Sequence, residues 1–362
     1  MRSPVNEGSG GAKTVDFAQR SYLFPSLREA GTNVMPMLDV KNLIEYSQPV
    51  QPDLEEFDRK LNDHLRGDSP LITSLARHLL KSKGKRIRPV FVFLSSRATD
   101  NYTDHSVNAS LAIELIHTAT LLHDDVVDDS DMRRGQETIN HKWTNLISVL
   151  MGDYLFAKAF RMMVGTGSMD LVKGISYATE RVSVGELRQV EETRNYSLSE
   201  EEYLEIIADK TASLFAVSCE AGPILKNRDD EYRRRFAEFG EKIGTAFQVI
   251  DDLLDFVGDA DITGKEPGND LQNGKVTLPL IYSLRRVSES SRKEIVRWLE
   301  AGDDRSLQRV CDFVRDNGGI DYAYERANEL CEYGLDAISP LNDSVYAESL
   351  LHLVRYTVAR AS

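Results

Sequence analysis

Ile113-Glu114-Leu115-Ile116-His117-Thr118-Ala119-Thr120-Leu121-Leu122-His123-Asp124-Asp125-Val126-Val127-Asp128 is an apolar stretch that ends on three carboxylates. Leu115, Ala119 and Leu122 recur at helical spacing, so a buried helix delivers Asp124, Asp125 and Asp128 at its end. Positions i and i+4 share a helix face, which puts Asp124 beside Asp128 with Asp125 close by. Two such charges about 6 Å apart repel by roughly 3 kcal/mol at an effective dielectric of about 20, so the end is unstable without a cation. All-oxygen ligands, with neither cysteine nor paired histidine, select Mg²⁺. The pattern recurs in Gln248-Val249-Ile250-Asp251-Asp252-Leu253-Leu254-Asp255, again after an apolar helical run. Two facing helices of this kind make a metal box, and Mg²⁺ in such a box prefers substrate phosphate oxygens for its remaining ligands. Cations suited to a phosphate lie in Lys83-Gly84-Lys85-Arg86-Ile87-Arg88-Pro89 and in Arg133-Arg134-Gly135.

These pieces, in order, resemble the all-trans polyprenyl diphosphate synthases of the long-chain, solanesyl or decaprenyl type. The matching blocks are residues 84–89, 117–128, 133–135, Gly152-Asp153, Gly185-Glu186, Lys210-Thr211-Ala212-Ser213-Leu214-Phe215, residues 248–255, Gly268-Asn269-Asp270-Leu271 and Gly274-Lys275-Val276-Thr277-Leu278-Pro279. They span roughly residues 50 to 360. The resemblance implies an all-α helix bundle around a deep central cavity, usually as a homodimer. It implies successive condensation of isopentenyl diphosphate onto an allylic diphosphate, with about three Mg²⁺ ions bound together with the substrate diphosphate. Asp124, Asp125, Asp128, Asp251, Asp252 and Asp255 are the expected metal ligands. Arg133, Lys210 and Lys265 take the allylic diphosphate, and Lys85, Arg88, His117 and Arg134 take isopentenyl diphosphate, which needs no metal. Lys210, Thr211 and Gln248 fall where the family places polar atoms beside the developing cation. Asp270 is expected as a helix cap or a support for a ligand, His123 as a packing or orienting residue, and Asp129 and Asp131 as loop residues. Two departures stand out: Lys83-Gly84 where many relatives carry two glycines, and Glu137-Thr138-Ile139-Asn140 in place of smaller residues.

Composition sets the bounds. Length alone, at 362 residues, suggests two domains of about 150 each, but no Pro/Gly/Ser-rich linker follows residue 40 and the two aspartate clusters need each other. One helical domain over residues 36–362 is therefore expected, after a flexible extension over residues 1–35 whose alternative reading is an organelle-targeting segment. A net charge of -14 argues against nucleic acid as a partner. Hydrophobic residues make up 41% of the chain, enough for a sizeable core, with no run long enough to span a membrane. At most transient membrane contact is expected. An intracellular, soluble protein follows, mitochondrial in a eukaryote and otherwise cytoplasmic. Cys219, Cys311 and Cys331 lack CxxC spacing and read as free core thiols.

From residue 38 the chain reads as helix after helix. Gly67 stops one, Ser69-Pro70 starts another, and Ser199-Glu200-Glu201-Glu202 is a capping box opening a helix that runs past Phe215. Pro340 precedes a last helix with Leu350, Leu353, Val354 and Val358 on its apolar side. Helices with no sheet to lie on bury their faces on one another. Product length follows from geometry. Ala119 and Thr120 lie about 7.5 Å below the metal at 1.5 Å per residue, where a bulky aromatic would stop the growing tail. Ile116, Ala112 and Ala109 form the next layers without a ring, so a long-chain product, of the kind used as a quinone side chain, is expected. A shorter farnesyl or geranylgeranyl product, and a catalytic subunit that needs a different partner, are the alternatives. A terpene cyclase would not need the basic cluster at residues 85–88, and head-to-head synthases space their acidic motifs differently.

Overall fold

The structure is a computed structural model and describes residues 40–66, 69–81, 84–257, 268–339 and 341–359. Its helices in chain order are α1 (Val40–Ser47), α2 (Gln51–Leu65), α3 (Pro70–Lys81), α4 (Ile87–Ala98), α5 (Ser106–Val127), the single-turn α6 (Ile139–Lys142), α7 (Asn145–Gly165), α8 (Met169–Glu191), α9 (Glu200–Ile207), α10 (Ser213–Leu225) and α11 (Asp230–Val257). There follow α12 (Asn269–Gln272), α13 (Leu278–Arg285), α14 (Glu289–Ala301), α15 (Asp304–Asp316), α16 (Gly319–Ile338) and α17 (Val345–Ala359). The expected all-helical bundle is what the chain forms.

Helix α5 is its axis. Ala109, Leu111, Ala112, Ile113, Ile116 and Ala119 are fully buried around its circumference, as in a helix enclosed on every side rather than laid on a surface. It packs on α4, α7 and α10, while α11 packs on α10 and α16. Phe91, Phe215 and Phe239 interlock by edge-to-face contacts of 5.6 and 6.2 Å, joining α4, α10 and α11 at the centre. The core is therefore one body, in which the C-terminal ends of α5 and α11 carry the two aspartate motifs.

Local start signals behave as the sequence implies. The backbone N–H of Ile72 donates to Ser69 Oγ (3.2 Å) ahead of α3. Ser199 and Glu202 cap each other reciprocally at the start of α9. That helix does not run unbroken past Phe215, however, because Ala208–Ala212 forms a turn of π-helix between α9 and α10. Leu350, Leu353, Val354 and Val358 of α17 are buried, and all three cysteines are free and buried. Gly67, Lys83, Lys265, Pro340 and the 1–35 extension lie outside the described residues. Among the described residues no helix is long and apolar enough to cross a membrane.

One departure is a hairpin, β1 (Met132–Arg133) with β2 (Gln136–Glu137), antiparallel with Arg133 opposite Gln136. Arg134 and Gly135 at its tip have φ of 51° and 73°, as a two-residue hairpin turn of type I′ requires. Strands of two residues carry no periodicity, so nothing in the apolar pattern announces them.

Candidate active site

The end of α5 splits its three aspartates between different tasks. Asp125 is buried, and its Oδ1 accepts from Arg133 Nε at 2.6 Å, so the hairpin is tied to the helix by a charge-assisted bond. Asn140 Nδ2 donates to the carbonyls of Asp125 (3.1 Å) and Ser130 (3.0 Å), and Thr138 Oγ1 donates to that of Ser130 (2.7 Å). The Glu137–Asn140 departure thus supplies the side chains that strap down the loop after the first motif. Burial pushes the Asp124 carboxyl up to about 6, with Glu186 adding repulsion, and burial raises Asp125 as well. These are carboxylates whose charge is costly where it stands and is favoured by a cation beside them.

At the end of α11 the second motif divides in the same way. Asp252 is buried: its Oδ2 accepts from the Tyr203 hydroxyl (2.6 Å) and its Oδ1 from Gln248 Nε2 (2.7 Å). Gln248 Oε1 in turn accepts from Thr211 Oγ1 (2.7 Å). Asp252 is raised by burial, with Asp270 and Asp251 adding to it. Asp255 Oδ2 accepts the backbone N–H of Asp270 (3.0 Å), fixing the chain that re-enters at α12, while Asp251 is exposed. Lys275 lies between the first motif and α12, its Nζ 3.8 Å from Asp128 and 3.7 Å from Asp270. Lys210 pairs with Glu186.

The π-turn sets Lys210 and Thr211 between α8 and α11, and two glycines make the approach possible. A Cβ on Gly185 would lie 2.4 Å from the Lys210 nitrogen, and one on Gly244 2.7 Å from the Ala212 Cα. π-Turns recur at functional sites because one extra residue re-aims the side chains that follow.

A second, basic pole sits beside α5. Arg88 is half-buried with its guanidinium 4.7 Å above the Phe215 ring; burial lowers it to about 10, and its buried Nε has no hydrogen-bond partner. Burial, with Arg88 and Arg134 next, holds His117 well below the usual histidine range, so it is a neutral imidazole. Arg134 is lowered first by burial and then by Arg133 and Arg86. Lys85 is exposed and donates to the Tyr356 hydroxyl of α17 at 3.4 Å. Arg86 is committed elsewhere, to Glu114 at 2.9 Å and Asp58 at 3.6 Å. A half-buried guanidinium whose Nε–H is buried without a partner, beside a neutral imidazole and a second arginine, is chemically complementary to an anion.

Of the other residues singled out by the sequence, Ala119 and Ile116 are fully buried, as are Ala112 and Ala109, and the Thr120 hydroxyl is turned back to the His117 carbonyl (2.8 Å). His123 packs toward α7, its Nε2 3.3 Å from the Val149 carbonyl. Asp129 is exposed, and Asp131 pairs with His141 at 2.8 Å. Among the described residues no three acidic, histidine or cysteine side chains stand close enough together to hold an ion by themselves. The arrangement still fits Mg²⁺, which takes one or two protein carboxylates and completes its shell with water and phosphate oxygens. Tyr203, Glu186 and Lys275 escaped the sequence reading. Lys275 and Glu186 sit inside quoted blocks without an assigned role, and Tyr203 lies behind the capping box with no motif to mark it.

The profile of the family described as polyprenyl synthetase matches residues 69–315. The all-trans-nonaprenyl-diphosphate synthase (geranyl-diphosphate specific) of Rhodobacter capsulatus is 37% identical, over 86% of this chain and 96% of its own. Heptaprenyl diphosphate synthase component 2 of Bacillus subtilis (strain 168) is 36% identical over 88% of this chain and 90% of its own. The crystal structure of polyprenyl synthase from Caulobacter crescentus CB15, complexed with calcium and isoprenyl diphosphate, superposes with a TM-score of 0.84 at 33% identity, covering 91% of this chain and 100% of that one.

Proposed function

We propose that this chain, which belongs to the polyprenyl synthetase family, makes long-chain all-trans polyprenyl diphosphates by adding isopentenyl diphosphate repeatedly to an allylic diphosphate. The observation that carries the reading is the pairing of two poles along α5: Arg88, whose buried Nε lacks a partner, beside neutral His117 at one, and at the other the first aspartate motif, with Lys275 between Asp128 and the Asp270 whose backbone the second motif's Asp255 holds.

Asp124 and Asp128 of the first motif and Asp251 of the second would hold Mg²⁺ directly in this reading, while Asp125 accepts from Arg133, Asp252 from Tyr203 and Gln248, and Asp255 from the Asp270 backbone. Mg²⁺ supplies charge neutralisation on the departing diphosphate oxygens. Arg133 and Lys210, with Lys265, grip that diphosphate. Lys275, between Asp128 and Asp270, would offer its ammonium to the same diphosphate. Lys85, Arg88, His117 and Arg134 hold the diphosphate of isopentenyl diphosphate, with the neutral imidazole donating one N–H. The allylic C–O bond breaks, the homoallylic double bond forms the new C–C bond, and the proton lost from the adjacent carbon passes to the released diphosphate. Thr211 and Gln248 present oxygen lone pairs to the allylic carbon as positive charge develops there. Ala119, Ile116 and Thr120 offer no ring to stop the tail, which supports a long product of the quinone side-chain class.

The functional unit in this reading is a homodimer. Leu146, Leu150, Phe160 and Val164 of α7, and Tyr177, Val184, Leu187 and Val190 of α8, are large apolar side chains left exposed on two consecutive helices, which supports an interface there. The same band would accept a different subunit, as the word component in the name of the Bacillus subtilis relative suggests for that protein.

The test is consumption of labelled isopentenyl diphosphate by the purified chain with an allylic primer and Mg²⁺. Chelation should abolish it, and Asp124→Asn should reduce it at least about a hundredfold. Undiminished turnover in Asp124→Asn would overturn the assignment of the metal site. No turnover by the folded chain alone, restored by a second subunit, would replace the homodimer with a heteromer.

A further inference from the structure

We propose that Tyr203 is a positioning residue for the condensation, acting through Asp252 to fix the Gln248 amide and, through it, the direction of the Thr211 hydroxyl. This rests on the reading that Gln248 and Thr211 flank the reacting allylic carbon. The four side chains form a continuous series of short bonds: Tyr203 to Asp252 at 2.6 Å, Gln248 to Asp252 at 2.7 Å and Thr211 to Gln248 at 2.7 Å. With Asp252 ionised, every direction in the series is fixed. A carboxylate only accepts, so Tyr203 must donate its O–H to one oxygen and Gln248 its amide N–H to the other. With its nitrogen committed, Gln248 has only Oε1 to offer Thr211, and Thr211 must donate to it. The Thr211 proton is thereby drawn away from the substrate, and the lone pairs of its oxygen are left for the developing positive charge.

The series joins α9, which carries Tyr203, and the π-turn that follows it, which carries Thr211, to Gln248 and Asp252 of α11. Tyr203 is 3% exposed, so its hydroxyl has been taken from water and placed at the one group that can receive it. Without that hydroxyl, Asp252 Oδ2 is a buried carboxylate oxygen with one donor removed, the carboxylate turns, and Gln248 gains the freedom to flip its amide. A flipped amide presents N–H to Thr211, which then directs its own proton toward the substrate, where it opposes rather than stabilises positive charge.

The test is Tyr203→Phe, which keeps the ring and removes only the oxygen. Three quantities are measured beside wild type: kcat and KM for isopentenyl diphosphate with a saturating primer, and Mg²⁺-dependent binding of inorganic diphosphate by calorimetry. The expected result is a kcat about tenfold lower, with KM and the Mg²⁺-diphosphate affinity within about twofold of wild type. A double-mutant cycle with Gln248→Leu then asks whether the two act together: once Gln248 is gone, Tyr203→Phe should cost nothing further. The calorimetric signal also reports that the variants fold. Wild-type kcat in Tyr203→Phe, the same tenfold loss in the Gln248→Leu background, or a loss confined to Mg²⁺-diphosphate affinity would each overturn the inference. An inactive wild-type chain would instead overturn the reading on which it rests.

Discussion

Adding one methyl group at Gly185 tests how closely the fold holds the reacting residues. Gly185 lies on α8 where that helix meets the π-turn, and a Cβ there would stand 2.4 Å from the Lys210 nitrogen, 2.8 Å from its Cα and 2.9 Å from its Cβ. The atoms met first are backbone, which cannot swing aside as a side-chain tip can. Ordinary contact begins near 3.4 Å, so α8 and the π-turn must separate by about 1 Å. Two effects then diverge. Overpacking costs about 1–3 kcal/mol, but alanine in place of a helical glycine returns about 1 kcal/mol, leaving a net loss of at most about 2 kcal/mol and a few degrees in Tm. Displacing Lys210 and Thr211 by about 1 Å from the reacting carbon costs far more, roughly a hundredfold in kcat. The Gly185→Ala variant should therefore be folded, slightly less heat-resistant and nearly inactive, with an unchanged KM for isopentenyl diphosphate, whose proposed residues lie on α4 and just before it, on α5 and at the hairpin tip. Steady-state kinetics with both substrates saturating, beside a thermal melt, separates the effects. Wild-type kcat would refute the reasoning, and so would a loss of kcat no larger than the loss of folded protein explains.

Other outcomes follow from buried or exposed side chains. Ala119→Phe places a ring about 7.5 Å along α5 from Asp124, at a fully buried position, and should shorten the product while leaving the first condensation intact, read by chromatography of the dephosphorylated polyprenols. Burial lifts the Glu220 carboxyl of α10 up to about 7, against a partial offset by Arg233. Because the native state then holds its proton where the unfolded chain has lost it, stability falls as pH rises from about 4.5 to 7 and levels off above; Glu220→Gln should be more stable than wild type by up to about 3 kcal/mol at pH 8 and equal to it near pH 4, in urea melts at the two pH values. Leu150→Asp combined with Leu187→Asp puts charges into the exposed apolar band, where the two side chains are 54% and 70% exposed, and should convert a dimer to monomers by light scattering with little change in Tm.

The sequence carries most of the frame and the identity of the site, for physical reasons that also explain what it hides. A helix as long as α5, apolar on every side and ending in carboxylates, leaves a pattern that no sheet could produce, and its echo at Asp251 makes the pair legible as a unit. Within each motif, though, the division between exposed Asp251 and buried Asp252, or between Asp124 and the Arg133-paired Asp125, depends on what packs beside the helix end, and spacing along one helix is blind to that. The π-turn at Ala208–Ala212 and the hairpin at Met132–Glu137 are too short to impose a period. Tyr203 belongs to the site only because α9 crosses the end of α11, and Lys275 only because its loop returns between the motifs. Conversely, Thr138 and Asn140, which read in the sequence as departures from the pattern, are the side chains that hold the first motif's loop in place.

The central claim is that the poles along α5 carry out repeated condensation to a long product. Its most direct test is incubation of the purified chain with Mg²⁺, labelled isopentenyl diphosphate and farnesyl or geranylgeranyl diphosphate, followed by resolution of the products by chain length. A ladder that runs well beyond geranylgeranyl diphosphate and accumulates at one long polyprenyl diphosphate is the predicted result. Accumulation at farnesyl or geranylgeranyl diphosphate, with nothing longer at extended times, would contradict it.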